Sequence, residues 1–164
     1  MRGFTLVRAL VYAALFISFF LVFLPAQVLR WSGVPAPSGV GPAQLTGMIL
    51  VALGGGLAIW CVVTFAVVGR GTAAPFDPPR KLVVSGPFRV VRNPIYVGAL
   101  VALGGAALYY SSLALVGFAV LSAGILHALV IFYEEPTLKG TFGAEYEEYL
   151  KSVNRWLPIT REKR

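Results

Sequence analysis

The sequence predicts an all-α integral membrane protein with four transmembrane helices, the third and fourth forming a tight hairpin, and an interfacial C-terminal amphipathic helix. Of the 164 residues, 57% are hydrophobic and only 13% are charged, whereas an ordinary soluble domain is about 25% charged. Three long stretches, residues 9–29, 31–69 and 93–133, carry no charged residue. A chain of this length is expected to form a single membrane domain over residues 1–164.

The first predicted transmembrane helix covers residues 9–29, because a membrane crossing needs about 20 apolar residues. A cleaved signal peptide is the alternative, since Arg2 and Arg8 resemble its basic start. The apolar run is longer than the run of about 7–15 apolar residues that is usual in a signal peptide. The sequence "LPAQVLRW" also lacks the small-x-small pattern of a cleavage site. The segment is therefore predicted to remain as a helix.

The second and third charge-free stretches supply the other three helices. The segment "WSGVPAPSGVGPAQ" is too rich in Pro and Gly for a helix, so the second helix is predicted at 45–69. The stretch 93–133 is about twice as long as one crossing needs. The sequence "YYSS" at 109–112 lies near its middle. We therefore predict helices at 94–109 and 113–133, joined by a very tight turn.

The positions of Lys and Arg predict that both termini are cytoplasmic. Basic residues collect on the cytoplasmic side of membrane proteins, and here all except Arg30 fall on one predicted side. Attraction to anionic lipid explains this positive charge, so no nucleic-acid partner is expected. The single cysteine, Cys61, excludes an internal disulfide and a zinc-finger spacing, and no metal site is expected. The residues on the predicted cytoplasmic side are Arg2, Arg8, Arg70, Arg80, Lys81, Arg89, Arg92, Lys139, Lys151, Arg155, Arg161, Lys163 and Arg164.

The polar tail is predicted to contain an amphipathic helix over residues 141–157. Its apolar residues recur at helical spacing, with acidic and basic residues between them. Such a helix either lies at the membrane surface or caps the helix bundle. The apolar positions are Phe142, Tyr146, Tyr149 or Leu150, Val153, and Trp156 or Leu157.

The start of the third helix has the composition of an anion site. Asn93 and Pro94 are typical of a helix start, where Asn caps free amides and Pro suits the first position. That role explains both residues without any function. Arg92 adds a full charge to the partial positive charge of the helix terminus, and Tyr96 is expected in the first turn. A carboxylate or a phosphate would bind here.

The end of the fourth helix has the opposite charge. Glu134 and Glu135 are expected to end this helix before Pro136, where adjacent carboxylates repel each other and oppose the helix dipole. A cationic ligand would offset them, or Arg89, Arg92 or Lys139 would do so in a structural ion pair. The only histidine, His127, lies seven residues earlier and shares a face with Glu134. A plain packing role is the alternative for this histidine.

The hairpin brings these two sites to the same face of the membrane. Arg92, Asn93 and Tyr96 would bind a negative group, and the two glutamates a positive one. The sequence therefore predicts a site for a zwitterion such as an amino-acid-like ligand.

These residues resemble the integral-membrane isoprenylcysteine carboxyl methyltransferase family, which is similar to the wider phospholipid methyltransferases. The family pattern is Arg-His-Pro-x-Tyr, two helical passes, then Glu-Glu; this chain has "RNPIY" at 92–96 and "EE" at 134–135. The flanking "PFDPPRKLVVSGPFRVVRNPIYVG" and the Phe-Gly-x-Glu-Tyr sequence at 142–146 extend the resemblance over about residues 70–158. In combination these motifs are specific.

The resemblance implies S-adenosylmethionine as the methyl donor, held near the cytoplasmic face with residues 70–93 as the donor-site loop. No residue is assigned as catalytic, because methyl transfer depends mainly on alignment, and Arg92, Tyr96 and Glu135 are expected to position the donor. Asn93 departs from the family histidine and cannot act as a base near neutral pH. The implied donor-binding residues are Leu82, Gly86, Arg92, Asn93, Pro94, Tyr96, His127, Glu134 and Glu135.

The implied methyl acceptor is lipophilic, with the carboxylate of a prenylated cysteine as the family's named case. Arg155 and Trp156 are the candidate acceptor contacts, although an ordinary interfacial pair would look the same. The chain is predicted to cross the membrane several times and to reside in the plasma membrane. Membrane lipid is an expected partner. Two other functions remain open at this stage: a membrane reductase of the sterol type that uses NADPH, and a non-enzymatic membrane ligand-binding protein.

Overall fold

The computed structural model describes residues 11, 14–15, 17–69 and 81–158. Within these residues the chain is helical and has no strand, which confirms the all-α prediction for them. The start of the predicted helix 9–29, residues 70–80 of the predicted donor-site loop and both chain ends lie outside the described residues. The helices are α1 Ser18–Trp31, α2 Pro42–Gly69, α3 Pro94–Tyr109, α4 Leu113–Phe142 and α5 Ala144–Ser152.

The helix α2 begins earlier than the predicted residue 45. Pro42 is its first residue, a position where the missing N–H of proline costs nothing. The Gln44 side chain turns back and accepts a hydrogen bond from the Gly41 N–H at 3.0 Å. The Pro- and Gly-rich segment therefore ends at Gly41, with a cap that the composition alone did not reveal.

Two pairs of glycines bring α2 and α3 into backbone contact. A Cβ placed on Gly54 would lie 2.4 Å from the Gly98 carbonyl oxygen, and one on Gly98 would lie 2.7 Å from the Gly54 carbonyl oxygen. Gly47 and Gly105 face each other in the same way, at 2.6 and 2.7 Å. Small residues at helix interfaces permit this close approach. The contact fixes the position of α3, and with it the residues at its start.

The helices α3 and α4 form a hairpin with only three residues between them, Tyr110 to Ser112. Ser111 takes the left-handed conformation, with φ of 49°. The Ser112 hydroxyl oxygen accepts a hydrogen bond from the Leu115 N–H at 3.2 Å and caps α4. The helix α1 packs along both members of this hairpin.

The prediction that Glu134 and Glu135 end the fourth helix is wrong. The helix α4 continues from Leu113 to Phe142, well beyond the predicted residue 133. A π-helical turn over Val130–Glu134 precedes Pro136, and this wider turn accommodates a proline that has no N–H and crowds the turn before it. The two carboxylates therefore project from the middle of a helix and do not oppose the dipole at its end.

Two of the described helices are long and apolar enough to cross a membrane. These are α2 and α4, with 28 and 30 residues. The helix α3 has 16 residues, which at 1.5 Å each gives about 24 Å. The hydrocarbon core of a bilayer is about 30 Å thick. Passage of all four predicted helices through the membrane stays a prediction.

The predicted amphipathic helix 141–157 is wrong in its bounds. Gly143, with φ of 53°, breaks the chain direction after α4, and α5 covers only Ala144–Ser152. Tyr146, Tyr149 and Val153 form a buried cluster against residues that include Leu82. The tail helix therefore packs against the rest of the protein, and its placement at the membrane surface stays a prediction.

Residues 81–93 lie between α2 and α5. Val83 and Phe88 pack against Cys61 of α2, and the Phe88 carbonyl oxygen accepts a hydrogen bond from the Tyr149 hydroxyl at 2.6 Å. Contacts on both sides therefore hold this segment in place just before α3.

Candidate functional site

Glu135 lies between two arginines. Its Oε1 is 2.7 Å from Arg155 Nε, its Oε2 is 2.9 Å from Arg155 Nη2, and its Oε1 is also 3.1 Å from Arg92 Nη1. The Arg155 contact is bidentate, the strongest geometry for such a pair. Arg92 was one of the predicted ion-pair partners. Arg155 was expected to meet the acceptor, and the structure instead joins it to the acidic pair.

The tail reaches this site as a short non-helical strap, residues 153–157, that runs beside the start of α3. Val91 and Asn154 form a parallel β-bridge, and the Arg92 N–H donates to the Asn154 carbonyl oxygen at 2.8 Å. The Asn93 side-chain amide donates to the Arg155 carbonyl oxygen at 3.3 Å. The side chain of Asn93 makes no capping bond to α3, so the predicted capping role is wrong. Asn93 holds the strap instead.

Tyr96 and Glu134 form the second polar contact between α3 and α4. The Tyr96 hydroxyl donates a hydrogen bond to Glu134 Oε1. The two residues are 38 positions apart in the chain, and the tight hairpin brings them together. Both glutamates therefore have protein partners, Glu135 with two cations and Glu134 with a neutral hydroxyl.

Arg92 retains hydrogen-bonding capacity toward a ligand. Its side chain is only 11% exposed. Its Nε has no hydrogen-bond partner among the described residues, and its Nη1 has the ion-pair contact with Glu135 at 3.1 Å but no aligned hydrogen bond. Buried donors without partners are costly and uncommon in native proteins. A carboxylate or phosphate at this place would satisfy them. The residues present therefore fit the anionic end of a zwitterion such as the methionine part of S-adenosylmethionine.

An open pocket of about 570 Å³ lies beside the polar contacts. His127 lines it together with Trp156, and the Trp156 indole N–H donates to His127 Nδ1 at 3.1 Å. His127 therefore faces an apolar pocket and the strap, whereas the resemblance placed it between the donor-binding residues. The remaining lining residues are Val97, Leu100, Val101, Ala123 and Leu157.

Three other residues predicted to bind the donor have packing or backbone roles in the structure. Leu82 packs against the cluster of Tyr146 and Tyr149, and Pro94 is buried at the first position of α3. Gly86 takes a φ of 57° and opens a short 3₁₀ turn; a Cβ there would lie 3.4 Å from Thr64 Oγ1. Left-handed backbone explains why glycine stands at this place.

The charges of the cluster alter the acidities of tail groups around it. The hydrogen bonds from Arg155 to Glu135 raise the pKa of the Arg155 guanidinium, so it stays charged. Burial, and then the charge of Glu135, raise the pKa of Tyr146 to about 12. The tail thus presents a fixed cation and a neutral phenol. In the described part of the chain, no group of three or more His, Cys, Asp or Glu residues could hold a metal ion.

Arg155 is the site residue whose role the sequence reasoning missed. It lies 20 positions after Glu135 and follows a change of chain direction at Gly143. A glycine followed by a short helix was the only local signal of that change. The pairing of Arg155 with Glu135 depends on the β-bridge between Asn154 and Val91, and no sequence pattern predicts that bridge.

Known proteins resemble this chain over most of its described length. CzcN, a cobalt-zinc-cadmium resistance protein of Cupriavidus metallidurans, is 32% identical over 133 residues, 79% of this chain and 54% of that protein. A probable protein-S-isoprenylcysteine O-methyltransferase of Oryza sativa is 32% identical over 118 residues, 69% of this chain and 60% of that protein. The chain thus spans about half to three-fifths of the length of these curated relatives. No solved structure matches it significantly.

The family comparison covers the same helices that build the site. A model of the phospholipid methyltransferase family matches residues 43–145, from the start of α2 into α5. That range includes Arg92, Tyr96 and both glutamates, and it confirms the resemblance predicted from the sequence. The match extends over more than half of the chain, and this protein therefore belongs to the phospholipid methyltransferase family.

Proposed function

We propose that the protein is an integral membrane methyltransferase that transfers a methyl group from S-adenosylmethionine to a lipid-like acceptor. The observation that carries this proposal is the cluster of Arg92, Tyr96, Glu134 and Glu135 beside an apolar pocket, in a chain of the phospholipid methyltransferase family. A polar site for a zwitterion next to an apolar site for a chain is what such a reaction requires.

Arg92 is the proposed contact for the carboxylate of the donor. Its Nε, which has no hydrogen-bond partner among the described residues, belongs to the residue two positions before α3, where the free N–H groups of a 16-residue helix add partial positive charge. Asn93 and Pro94 form the corner of this site. Glu134, whose partner is only a neutral hydroxyl, is the proposed contact for the ammonium group.

Glu135 is proposed to position the site more than to bind the donor directly. Its carboxylate already meets Arg155 and Arg92, so it fixes the directions of both guanidiniums. Leu82 and Gly86 belong to the segment proposed to cover the nucleoside, since that segment runs between α2 and the Tyr149 helix just before Arg92.

The proposed acceptor has an apolar chain and a polar head. The chain would occupy the pocket lined by Val97, Leu100 and Trp156. The head would lie toward the polar cluster, because Tyr96 directly precedes Val97 and Arg155 directly precedes Trp156. A carboxylate, as in a prenylated cysteine, would suit Arg155.

The chemistry requires no assigned acid or base. S-adenosylmethionine supplies an electrophilic methyl group on a positively charged sulfur. The residues of this chain bind, orient and exclude water, and alignment of the reacting groups contributes most of the rate. Asn93 is accordingly tolerated where the wider family has histidine, because Asn can still hydrogen-bond but cannot take a proton.

The proposed setting is a membrane crossed by four helices, with both termini and the donor site on the cytoplasmic face. Two long apolar helices and the family support a membrane location. The basic residues on the predicted cytoplasmic side support the orientation. The plasma membrane is the proposed location in the cell.

The proposal is tested with the detergent-purified protein and S-adenosylmethionine that carries a radioactive methyl group. Incubation with S-farnesyl-cysteine derivatives, phosphatidylethanolamine and total membrane lipid should transfer the label to a lipid-extractable product. The variant Arg92→Gln should lose this transfer, and Arg89→Gln, an exposed residue of the same segment, should retain it. Equal transfer by both variants would contradict the proposed donor site, and NADPH consumption without transfer would favour the reductase.

A further inference from the structure

The contact between His127 and Trp156 belongs to the pocket and not to the polar cluster. Each ring's centre lies 5.9 Å from the other, and the planes are inclined by 35°. The indole N–H donates to His127 Nδ1 at 3.1 Å, so Nδ1 acts as the acceptor in this contact. His127 lies about 10 Å along the helix axis from Glu134 at 1.5 Å per residue.

The strap is attached to α4 through two neighbouring residues. Arg155 makes the bidentate contact with Glu135, and Trp156 makes the contact with His127. The two side chains reach different places on α4, because Glu135 and His127 are eight positions apart. One side chain therefore serves the polar cluster, and the next one forms a wall of the pocket.

The hydrogen bond that the Trp156 indole donates to His127 is the described polar contact that fixes the indole beside the pocket. The other residues along the pocket are aliphatic, and they can pack against an indole in many orientations. The hydrogen bond from the indole N–H to His127 is directional and favours one of these orientations. Loss of the acceptor atom would leave the backbone of the strap in place, through Asn154 and Asn93, while freeing the Trp156 ring.

We propose that His127 is a positioning residue for the acceptor, which acts through Trp156 by fixing the indole as a wall of the pocket for the apolar chain. This inference rests on the proposed function for the identity of the pocket's occupant. It moves His127 from the donor side, where the resemblance placed it, to the acceptor side. The bond needs an acceptor at Nδ1, and the Asn side-chain oxygen can supply one at a similar distance from the helix.

The test follows the fluorescence of Trp156 as the only tryptophan. Trp31 and Trp60, which are 81% and 59% exposed, are replaced by Phe, and N-acetyl-S-farnesyl-cysteine is titrated into the protein in detergent. We expect a saturable change in the emission of Trp156 as the probe is added. His127→Leu should weaken the apparent affinity about fivefold, the effect of one lost net hydrogen bond, and His127→Asn should stay within about twofold of the parent.

Two controls separate this role from a general loss of structure. Ile125→Leu, at a 59% exposed residue of α4, should leave the probe affinity unchanged. The thermal stabilisation by S-adenosylhomocysteine should be the same in the parent, His127→Leu and His127→Asn. With a methyl-transfer assay, His127→Leu should raise the acceptor KM and leave the donor KM unchanged.

Several results would overturn the inference. These are no Trp156 response to the probe, equal probe affinity in His127→Leu and the parent, no rescue by His127→Asn, or a parallel loss of the S-adenosylhomocysteine response. Failure of the proposed function looks different. In that case no methyl transfer and no S-adenosylhomocysteine response would be seen, while the Trp156 response would still depend on His127.

Discussion

Replacement of Gly54 by alanine should separate α2 from α3. The added Cβ would lie 2.4 Å from the Gly98 carbonyl oxygen, 2.6 Å from the Ala102 nitrogen and 3.1 Å from the Ala102 Cβ. Close carbon–oxygen contacts between helices are about 3.3–3.6 Å. The helices must therefore move apart by about 1 Å at this point, against atoms of the backbone that cannot turn aside as a side chain would.

The expected net effect is a loss of stability. Overpacking of this kind costs about 1–3 kcal/mol, and alanine regains about 1 kcal/mol of helix propensity relative to glycine. Gly54→Ala should therefore lower the free energy of unfolding by up to about 2 kcal/mol. Gly55→Ala is the matched control, because nothing lies within 4 Å of its added Cβ, and it should be neutral or stabilising by up to about 1 kcal/mol.

The assay is thermal unfolding of both variants in the same detergent. For a chain of this size, about 1 kcal/mol corresponds to about 2–4 °C in Tm, so the two variants should differ by several degrees. Gly54→Ala should also weaken binding of S-adenosylhomocysteine, because Gly98 is only two residues after Tyr96 in α3. Equal Tm values for the two variants would refute the close approach of these helices.

Three further predictions concern the polar cluster and the tail. Arg155→Gln removes the bidentate contact with Glu135, so the free energy of unfolding should fall by about 1–2 kcal/mol given its partial exposure; Arg89→Gln should have no such effect in the same thermal assay. Tyr96→Phe leaves Glu134 without its hydroxyl and should lower the Tm by about 2–6 °C; an effect no larger than that of Tyr110→Phe would contradict the contact. Tyr146 should make stability sensitive to alkaline pH, because its pKa of about 12 in the folded protein exceeds about 10 in an unfolded chain. Its contribution is complete below about pH 10 and is lost as the pH rises toward 12, so Tm should fall less steeply in Tyr146→Phe; identical slopes would contradict this reasoning.

The helical character and the hairpin were predictable from the sequence because they depend on composition and local signals. Absence of charge over 93–133 and "YYSS" in its middle indicate two helices with a tight turn, and the structure has helices beginning at Pro94 and Leu113. That topology returns α4 to the face of the membrane where α3 begins. The contact between Tyr96 and Glu134 itself is known only from the structure, because the hairpin register alone does not place these two residues opposite each other.

The course of α4 beyond residue 133 was not predictable by the usual helix-stop rules. Pro136 and two glutamates are ordinary signals for an end. The π-helical turn over Val130–Glu134 absorbs the proline and lets the helix continue. A similar π-helical turn, Ser18–Phe23, comes before Pro25, so the same local solution occurs twice among the residues that the structure describes.

The contacts of the tail with the start of α3 could not be predicted from the sequence either. The helical spacing of apolar residues from Phe142 to Trp156 predicted one long amphipathic helix. The helix ends at Ser152, although the apolar spacing continues beyond it. Pairing of Asn154 with Val91 overrides local propensity there. Because that pairing places Arg155 against Glu135, the second cation of the site depends on a long-range contact.

Isothermal titration of S-adenosylhomocysteine into the purified protein is the most direct test of the proposal that Arg92 and its neighbours bind S-adenosylmethionine. The wild type should bind one equivalent, Arg92→Gln should bind about tenfold or more weakly after loss of a charged hydrogen bond, and Arg89→Gln should bind as the wild type does. NADPH should produce no heat of binding. Absence of S-adenosylhomocysteine binding in the wild type, or equal affinity in Arg92→Gln, would contradict the proposed donor site.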